Sequence, residues 1–358
     1  MRILTVNTGS SSVKLRLLDA DDEVVAEHDL ESPGSDVDGA ELRAALEQLG
    51  EPGAVVHRIV HGGRRTAAVR LDDDVVRELR ALTPLAPLHQ PKALAAIAAV
   101  AAWRPSLAAV GCFDTAFHAS LPPAAATYAL PAEWCERFAL RRYGFHGLSH
   151  GYVARRGAEL LQPAGPFRMV SCHLGAGASL AAVRDGRSVD TTMGFTPLEG
   201  LVMATRSGSV DPGLVLWLVR QGIDPVTLHE ALEHRSGLLA LAGTADMREL
   251  LERDDERSLV ALDVYVHRIV AGIAAMTAAL GGLDALVFTG GVGERAPEIR
   301  RRVAGRLAFL GVALDSARNA ELRGDSEITA DGAQVRVLVL TAREDAEMAR
   351  EARAVLGG

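Results

Sequence analysis

Lysine is nearly absent from this sequence of 358 residues, so arginine carries almost all of the positive charge; lysine occurs only at Lys14 and Lys92. Three cysteines, Cys112, Cys135 and Cys172, are too few and too scattered to form a disulfide framework or a metal motif, which predicts a reducing compartment. A net charge of −8 and the lack of a basic face with interleaved aromatic residues argue against a nucleic-acid surface. Small anionic ligands must therefore be held by local positive groups.

Long apolar runs and low-complexity linkers are also lacking. No apolar stretch approaches the length expected of a membrane span, and the first residues read as a strand rather than as a basic and apolar leader. We therefore expect a cytoplasmic protein that does not bind a membrane. The composition, 48% hydrophobic and 23% charged, predicts a large ordered core, and the length fits two packed domains.

The start of the chain contains a pattern that predicts a phosphate-binding hairpin. Residues 3–18 read as an apolar strand, a turn with Gly9 and three serines, and an alternating second strand that carries Lys14. Backbone N–H groups, hydroxyls and one cation within a few residues together form a cradle for an anion such as phosphate. Taken alone the pattern is weak, because most Gly/Ser turns between strands bind nothing.

The same pattern returns at residues 169–187. An apolar strand there reaches His173, where the first copy has Asn7, and a Gly/Ser loop leads into a second strand. Asp185 and Gly186 are typical of a two-residue hairpin turn before a third strand, and residues 24–27 give the first copy its third strand. The repetition predicts a duplicated chain with one phosphate-binding hairpin in each half.

Several further polar residues stand next to predicted strands and helices. Asp114 directly follows a buried strand at 107–113, at the strand end where open α/β sheets bind ligands. His89 and His146 each precede a predicted helix. A glycine-rich turn, GGVGER, follows a strand at 284–289, and a polar loop of more than a dozen residues occupies 194–213. Loops of that length with ordered composition are usually functional.

Nine motifs connect these features to one family. They are, in order, VNTGSSSVKL, HRIVHGG, APLHQP, FDTAFH, YGFHGLSH, CHLGAGAS, MGFTPLEGL, TRSGSVDP and FTGGVGE. Together they resemble the acetate kinase (acetokinase) family from end to end. The resemblance implies an α/β fold of the sugar kinase and actin superfamily: duplicated actin/hexokinase-like (ribonuclease H-like) domains, each a mixed β-sheet flanked by helices, with the active site in the interdomain cleft. The expected N-terminal domain comprises residues 1–117 and 346–358, and the expected nucleotide-binding domain comprises residues 118–345.

The reaction implied by the resemblance is reversible phosphoryl transfer from ATP to acetate, which gives acetyl phosphate and ADP by direct in-line transfer. It implies Mg²⁺, with Mn²⁺ as an alternative ion, and a homodimer. The implied catalytic residues are Arg58, Asp114, His146 and Arg206. The two arginines would hold the carboxylate and the transferred phosphoryl group through planar forks, although an arbitrary arginine more often pairs with a structural carboxylate. His146 and Arg206 would stabilise the transition state.

The other implied residues fall into three groups. Asp114 would orient the metal ion and its waters, with Asn7 and Glu344 as metal-binding residues; the alternative for Glu344 is an acid that favours a helix N-terminus. The substrate pocket would be formed by Arg58, Val60, Leu88, Phe145 and Pro197. The nucleotide contacts would come from Ser10, Ser12, Lys14, His173, Leu174, Gly175, Ala176, Gly177, Ser179, Gly290, Gly291, Val292 and Gly293. His89 matches a further histidine near the site.

Three departures from the family pattern keep alternatives open. Ala176 stands where the family usually has asparagine, which leaves open whether ATP or another phosphoryl donor is used. The sequence TARED at 341–345 leaves the register around Glu344 open by one residue, and the segment between Asp19 and His57 is shorter than usual. A valine at position 60 favours acetate over propionate, which is longer by one methylene. The alternatives are a propionate or other short-chain carboxylate kinase, a kinase with another donor, and a catalytically silent nucleotide-binding regulator.

Overall fold

The computed structural model describes residues 1–9, 12–32, 38–87 and 89–357, which divide into two compact units. Unit 1 comprises Met1–Ala119, Phe145–Tyr152 and Arg343–Gly358, and unit 2 comprises Ser120–Gly144 and Val153–Ala342. This division groups residues by their contacts within each unit. The domain boundaries implied by the family resemblance stay a prediction.

Each unit contains one six-stranded sheet. The strands of unit 1 are β1 (Ile3–Thr8), β2 (Ser12–Leu18), β3 (Val24–Glu31), β4 (Ala54–Ile59), β5 (Val69–Arg70) and β6 (Ala108–Phe113). The strands of unit 2 are β7 (Arg168–Leu174), β8 (Ala178–Arg184), β9 (Arg187–Thr191), β10 (Ala285–Thr289), β11 (Ser326–Glu327) and β12 (Arg336–Val339).

Helices flank both sheets. In chain order they are α1 (Gly39–Gln48), α2 (Asp73–Ala81), α3 (Gln90–Trp103), α4 (Pro123–Ala126), α5 (Ala132–Phe138), α6 (Gly147–Leu161), α7 (Pro212–Arg220), α8 (Pro225–His234), α9 (Gly237–Ala242), α10 (Met247–Glu252), α11 (Glu256–Leu280), α12 (Gly290–Arg295), α13 (Pro297–Arg306), α14 (Ser316–Ala320) and α15 (Glu344–Leu356). Three short 3₁₀ helices lie at Thr83–Leu85, Ala116–Ser120 and Ala308–Leu310.

The two sheets repeat one topology. In unit 1 the strand order is β3-β2-β1-β4-β6-β5, with β1 antiparallel to β2 and parallel to β4, and β4 parallel to β6. In unit 2 the order is β11-β12-β10-β7-β8-β9, with β7 antiparallel to β8 and parallel to β10, and β10 parallel to β12. The predicted duplication and the predicted α/β class with mixed sheets are thus confirmed. Asn7 and His173 each stand one residue before the end of the first strand of their copy.

The centre of the first sheet is buried on both faces, because helices pack on each side. Leu4 and Val6 of β1 point into a cluster with Leu42 of α1 and Val100 of α3. The alternate residues Ile3 and Thr5 are also buried, and α15 contacts β1, β4 and β6. Strands covered on both faces read as nearly continuous apolar runs, which is the pattern seen at residues 3–6. The packing of α15 places its first residue, Glu344, beside the sheet.

The long helix α11 is the main core helix of unit 2. By length and composition alone it could cross a membrane, so the expectation that no apolar stretch reaches that length is wrong for this segment. The structure gives it a different role, since one face of the helix, including Leu262, Tyr265, Ile269 and Ile273, is buried against β7, β8, β9 and neighbouring helices. Core helices of globular domains pass the same length and composition test.

Most elements with strong local patterns lie where the sequence predicts them. The two hairpins, the strand before Asp114, the helix after His146 and the irregular segment that contains Arg206 are all confirmed. The third strand of the first copy, β3, runs four residues further than expected, to Glu31. The short helices α5, α8, α9, α10 and α14 were not predicted, because runs of five to ten residues carry little periodicity.

Candidate functional site

The candidate site of unit 1 is built around a bidentate ion pair between Arg58 and Asp114. Arg58 lies on β4, and Asp114 directly follows the adjacent strand β6. The Nε atom of Arg58 donates to Oδ1 of Asp114 at 3.0 Å, and its Nη2 donates to Oδ2 at 2.7 Å. Asp114 is 1% exposed. Removing one partner of such a buried pair typically costs about 3–5 kcal/mol, because the other charge is left without compensation.

Two further side chains complete this cluster. The third donor of Arg58, Nη1, binds Oδ1 of Asn7 at 3.0 Å, and Nδ2 of Asn7 donates to Oε2 of Glu344 at 2.8 Å. The same carboxylate oxygen lies 3.7 Å from Nη1 of Arg58. Burial alone would lower the pKa of Arg58, but the charges of Asp114 and Glu344 outweigh burial and raise it. Three neighbouring strands and one helix N-terminus therefore bring four predicted site residues together.

The contacts of α15 show which acid of the TARED segment belongs to this cluster. Glu344 is the first residue of the helix and contacts Asn7, whereas the next acid, Asp345, binds Arg343 at 3.0 Å. Arg343 also donates to the backbone carbonyl of Asp22 at 2.7 Å. Asp345 is thus occupied in anchoring the start of α15 to the turn between β2 and β3.

His146 has a strained backbone next to this cluster. Its φ of 55° lies in the left-handed region, which costs a non-glycine residue about 1–3 kcal/mol. The following residue, Gly147, donates its backbone N–H to the carbonyl oxygen of Asp114 at 2.9 Å. A Cβ at position 147 would lie 2.2 Å from that oxygen, so only glycine permits this approach. Local strain at a polar residue is typical of functional positions.

The remaining predicted residues of unit 1 are not part of the four-residue cluster of Asn7, Arg58, Asp114 and Glu344. Val60 and Phe145 are buried, His89 precedes α3 without capping it, and Ser12 begins β2. Lys14 is opposite Asn7 in the β1–β2 ladder, so their side chains share one face of the sheet. Ser10 and Leu88 lie outside the described residues.

In unit 2, Arg206 is held by an acid that the sequence analysis missed. Its Nε lies 2.8 Å from Oε2 of Glu233, a buried residue of α8, and its Nη1 lies 4.0 Å from the sulfur of Met203. The backbone of Arg206 is fixed as well, since its carbonyl oxygen accepts from the N–H of Met203 at 3.1 Å. No spacing rule connects residues 206 and 233. Only the burial of Glu233 distinguishes it from exposed acids such as Glu230.

A half-buried polar network fixes the segment around Pro197. The Tyr128 hydroxyl donates to Oε2 of Glu199 at 2.6 Å and accepts from the N–H of Phe195 at 2.9 Å. Arg142 binds Oε1 of Glu199 at 2.7 Å and the carbonyl oxygen of Met193 at 3.0 Å. Burial and the Glu199 carboxylate raise the pKa of Tyr128, so the hydroxyl stays protonated and can donate. Pro197 itself is half-buried.

Two glycine-rich segments of unit 2, the turn after β7 and the N-terminal end of α12, line one cavity of about 700 Å³. Gly175 and Ala176 come from the turn after β7. Gly291 and Val292 lie in the first turn of α12, which directly follows the adjacent parallel strand β10, so the prediction of a glycine-rich turn at GGVGER is wrong and the segment is helical. Tyr265 of α11 lies at the cavity as well. Pockets of about 300–1,000 Å³ suit small molecules and cofactors. Two of the predicted nucleotide-binding turns therefore meet at a cavity of suitable size.

Glycine is required at position 290, the first residue of α12. Gly290 has a φ of 78°, and a Cβ there would lie 2.9 Å from the carbonyl oxygen of Leu174. The Glu294 carboxylate accepts from the backbone N–H groups of Gly290 at 2.9 Å and of Ala342 at 3.0 Å. Gly293 of α12 is buried. In the turn after β7, the carbonyl oxygen of Gly177 accepts from the N–H of Gly175 at 2.9 Å. The remaining predicted residues here are His173, near the end of β7, and buried Ser179 on β8.

The donor set of unit 1 fits a hard divalent cation. Within the described ranges, no three His, Cys, Asp or Glu side chains form a metal-binding group. Asp114 and Glu344 nevertheless supply carboxylates and Asn7 an amide oxygen, and Mg²⁺ commonly takes only one or two carboxylates and keeps several waters. With Arg58 as the single cation, the cluster carries one net negative charge. These three residues could therefore hold a hydrated magnesium ion.

Duplicated α/β units, one with an arginine–carboxylate cluster and one with a glycine-lined cavity, define the class of the protein as a small-molecule kinase. The family model for the acetokinase family matches residues 37–350. The chain belongs to that family.

Known relatives and structures agree along the whole chain. An acetate kinase of Pseudothermotoga lettingae is 40% identical over 396 aligned positions, which cover 99% of this chain and 98% of the relative. The crystal structure of Porphyromonas gingivalis acetate kinase is 34% identical with a TM-score of 0.89 and covers 99% of both chains. A propionate kinase of Francisella tularensis is 33% identical with a TM-score of 0.90 and covers 98% of both chains. The predicted family and fold are thus confirmed.

Three buried histidines make the stability of unit 1 sensitive to acid. Burial lowers the pKa of His57 to about 3 and the pKa values of His61 and His118 to about 4, while an unfolded histidine titrates near 6.5. Between about pH 6.5 and 4 the unfolded chain therefore binds more protons than the folded one. The free energy of unfolding should fall as the pH is lowered through that window, by up to about 1.4 kcal/mol per pH unit for each histidine.

His57→Leu should remove one third of this histidine contribution. Neither ring nitrogen of His57 has a hydrogen-bond partner among the described residues, so an apolar side chain loses no contact there. Urea unfolding at several pH values should give a shallower pH dependence for His57→Leu than for the unmodified chain. Exposed His229 provides the control, and His229→Leu should keep the original slope. An unchanged slope in His57→Leu would contradict the assignment.

Proposed function

We propose that the chain catalyses the reversible, ATP-dependent phosphorylation of acetate to acetyl phosphate. The observation that carries the proposal is the Arg58–Asp114 cluster in a chain that matches the acetokinase family over residues 37–350. In the reaction a carboxylate oxygen attacks the γ-phosphorus of ATP, and the bond from that phosphorus to the ADP oxygen breaks. The nucleophile carries no proton to remove, so the protein needs to position and neutralise anions rather than supply a base.

Arg58 and Arg206 are the proposed anion-holding residues. Each is an arginine whose guanidinium is fixed by a buried carboxylate, Asp114 in one case and Glu233 in the other. A guanidinium held this way keeps its orientation before substrate arrives, which lowers the cost of aligning the reacting groups. His146 would donate a hydrogen bond to the phosphoryl oxygens in the in-line transition state.

We propose Mg²⁺, with Mn²⁺ as a substitute, at the cluster of Asp114, Asn7 and Glu344. Bound there, the ion would neutralise charge on the phosphate oxygens. Asp114 would orient the ion and its waters, and its own position is fixed by the fork of Arg58. The hydrogen bond from Asn7 to Glu344 keeps the second carboxylate beside the first.

The nucleotide is proposed to occupy the cavity of unit 2 that is lined by the turn after β7 and the N-terminal end of α12. Gly175, Ala176, Gly291 and Val292 line it, and their small side chains leave room for a nucleoside. The family resemblance assigns phosphate contacts to Ser10, Ser12 and Lys14 and to His173. Because Ala176 offers no side-chain amide, the turn after β7 would bind phosphate through its backbone N–H groups alone. A phosphoryl donor other than ATP is therefore the alternative.

Propionate is the second candidate acceptor, because a propionate kinase of known structure has the same fold at a TM-score of 0.90. The family resemblance assigns Val60, Leu88, Phe145 and Pro197 to the acyl pocket, and of these Val60 and Phe145 are buried residues of unit 1. One methylene in such a pocket changes the rate by about 10–200-fold, so both acids should react at different rates. We propose acetate as the better acceptor because a valine at position 60 leaves little room for a longer chain.

The decisive assay is Mg²⁺-dependent release of ADP from ATP with acetate, propionate, butyrate or no acid. Turnover should be highest with acetate, and Arg206→Gln should lower it by about 10³-fold or more, as expected for an arginine that stabilises transferred phosphoryl charge. Arg187→Gln, at an exposed arginine of the same unit, is the matched control and should keep full activity.

Other outcomes of this assay point elsewhere. A preference for propionate would overturn only the acceptor. Turnover that appears only with another phosphoryl donor would overturn the use of ATP. The lack of turnover with every acid and donor would contradict the proposed reaction and favour a nucleotide-binding regulator.

We also propose that the protein is a homodimer in the cytoplasm that acts on small molecules and binds neither nucleic acid nor a membrane. Helix α7 supports the dimer, because its side chains are apolar on all sides yet none is buried. Leu216 is 59% exposed and Trp217 51% exposed. A helix that is apolar all round is normally buried. Because α7 carries a single charged residue, Arg220, in its last turn, its surface is mainly apolar and suits self-association about a two-fold axis.

Trp217→Glu should convert the dimer into a monomer, because it places a charge in the proposed apolar interface. Size-exclusion chromatography with light scattering measures the mass directly. Phe309→Glu, at an apolar residue that is 73% exposed and lies outside α7, is the control and should leave the dimer intact. A monomeric unmodified chain, or a dimeric Trp217→Glu variant, would contradict the proposed interface.

A further inference from the structure

His118 is a buried histidine that the proposed reaction does not use. It lies in the 3₁₀ helix Ala116–Ser120, four residues after Asp114, and is 0% exposed. Its Nε2 atom is 3.0 Å from the carbonyl oxygen of Phe145. That carbonyl belongs to the residue directly before His146. His118 therefore touches the backbone that carries a proposed transition-state donor, although it stands 28 positions away in the sequence.

The chemistry of this contact fixes the protonation of the ring. A carbonyl oxygen can only accept, so Nε2 of His118 carries the proton and donates. Burial lowers the pKa of His118 to about 4, with a smaller opposing effect from the Phe145 carbonyl. Near neutral pH the side chain is therefore an uncharged imidazole protonated at Nε2. It contributes a directed hydrogen bond and adds no charge next to Asp114.

His146 is held between two anchors that both come from the segment 114–118. On one side, His118 binds the carbonyl oxygen of Phe145. On the other side, the backbone carbonyl of Asp114 accepts from the N–H of Gly147 at 2.9 Å. Between these contacts, His146 adopts a φ of 55°, which an ordinary residue avoids. A strained conformation persists only where its surroundings over-determine it.

We propose that His118 is a positioning residue that fixes the left-handed backbone conformation of His146 and thereby the orientation of the His146 side chain. The inference rests on the proposed function, since it assigns His118 a task in the same phosphoryl transfer. The segment 114–118 then has two roles: its first residue presents a carboxylate to Arg58, and its last sets the geometry of the loop before α6. One short segment would thus fix the positions of both Asp114, the proposed metal-orienting acid, and His146, the proposed transition-state donor.

A purely structural role is the competing explanation, because the His118 ring also packs on its neighbours. It makes edge contacts with Phe117, at a centroid distance of 5.4 Å, and with His150, at 5.7 Å. A packing role needs the ring but not the proton on Nε2. A positioning role needs the donor but not the ring. Two substitutions therefore separate the explanations.

His118→Phe keeps a ring and removes the donor, whereas His118→Gln removes the ring and keeps an amide donor with a similar reach. If His118 positions His146, His118→Phe should lower kcat by about 100-fold, as expected for a misplaced catalytic group, with KM for acetate and nucleotide unchanged. His118→Gln should recover most of kcat. His57→Gln, at an equally buried histidine on β4, controls for the loss of an imidazole and should keep kcat. Wild-type kcat in His118→Phe, or an equal loss in both His118 variants, would overturn the proposal.

Hydrogen exchange tests the same inference without any substrate. The amide of Gly147 is bonded to Asp114, so its peptide should exchange faster in His118→Phe than in His118→Gln while peptides from β1 keep their protection. Unchanged exchange at Gly147 in a folded His118→Phe variant would overturn the positioning role. If the unmodified chain phosphorylates no carboxylate, the proposed function fails, and the exchange experiment still decides what His118 does to the loop.

Discussion

The bidentate ion pair between Arg58 and Asp114 is the contact on which the candidate site depends. It joins two adjacent parallel strands at their carboxyl ends, and two of its remaining polar atoms bind residues at or next to other predicted site positions. Arg58 donates a hydrogen bond to Asn7 on β1, and Asn7 donates one to Glu344 at the start of α15. The backbone of Asp114 reaches Gly147, next to His146. Buried charges of this kind are costly unless they are paired, so the sheet, α15 and the loop before α6 are mutually constrained.

Duplication explains why two units with one topology carry different site chemistry. Both hairpins carry a polar residue one position before the end of their first strand, Asn7 in one copy and His173 in the other. In unit 1 that position joins a cluster of charges. In unit 2 the corresponding turn lines a cavity with small residues instead. Shared backbone geometry thus supports a cluster of charged side chains in one copy and a glycine-lined cavity in the other.

Sequence patterns predicted the parts of the structure that depend on local rules. The hairpins and the strand before Asp114 follow from residue periodicity and turn chemistry, whereas GGVGER after β10 was predicted as a turn and forms helix α12. The partners of the site residues could not be predicted in this way. Glu233 lies 27 positions from Arg206, and its burial is decided by tertiary packing rather than by its own helix. His118 is likewise visible in a motif, but only the fold shows that it binds the Phe145 carbonyl.

The most direct test of the central claim is a double-mutant cycle in kcat for acetate phosphorylation with Arg58→Gln and Asp114→Asn. If the two side chains act as one unit, each single substitution should lower kcat by about 10³-fold or more, and the double variant should be no worse than the weaker single variant. Circular dichroism would confirm that all three variants remain folded. Losses that multiply in the double variant, or an Asp114→Asn variant with full activity, would contradict the claim that this ion pair organises the site.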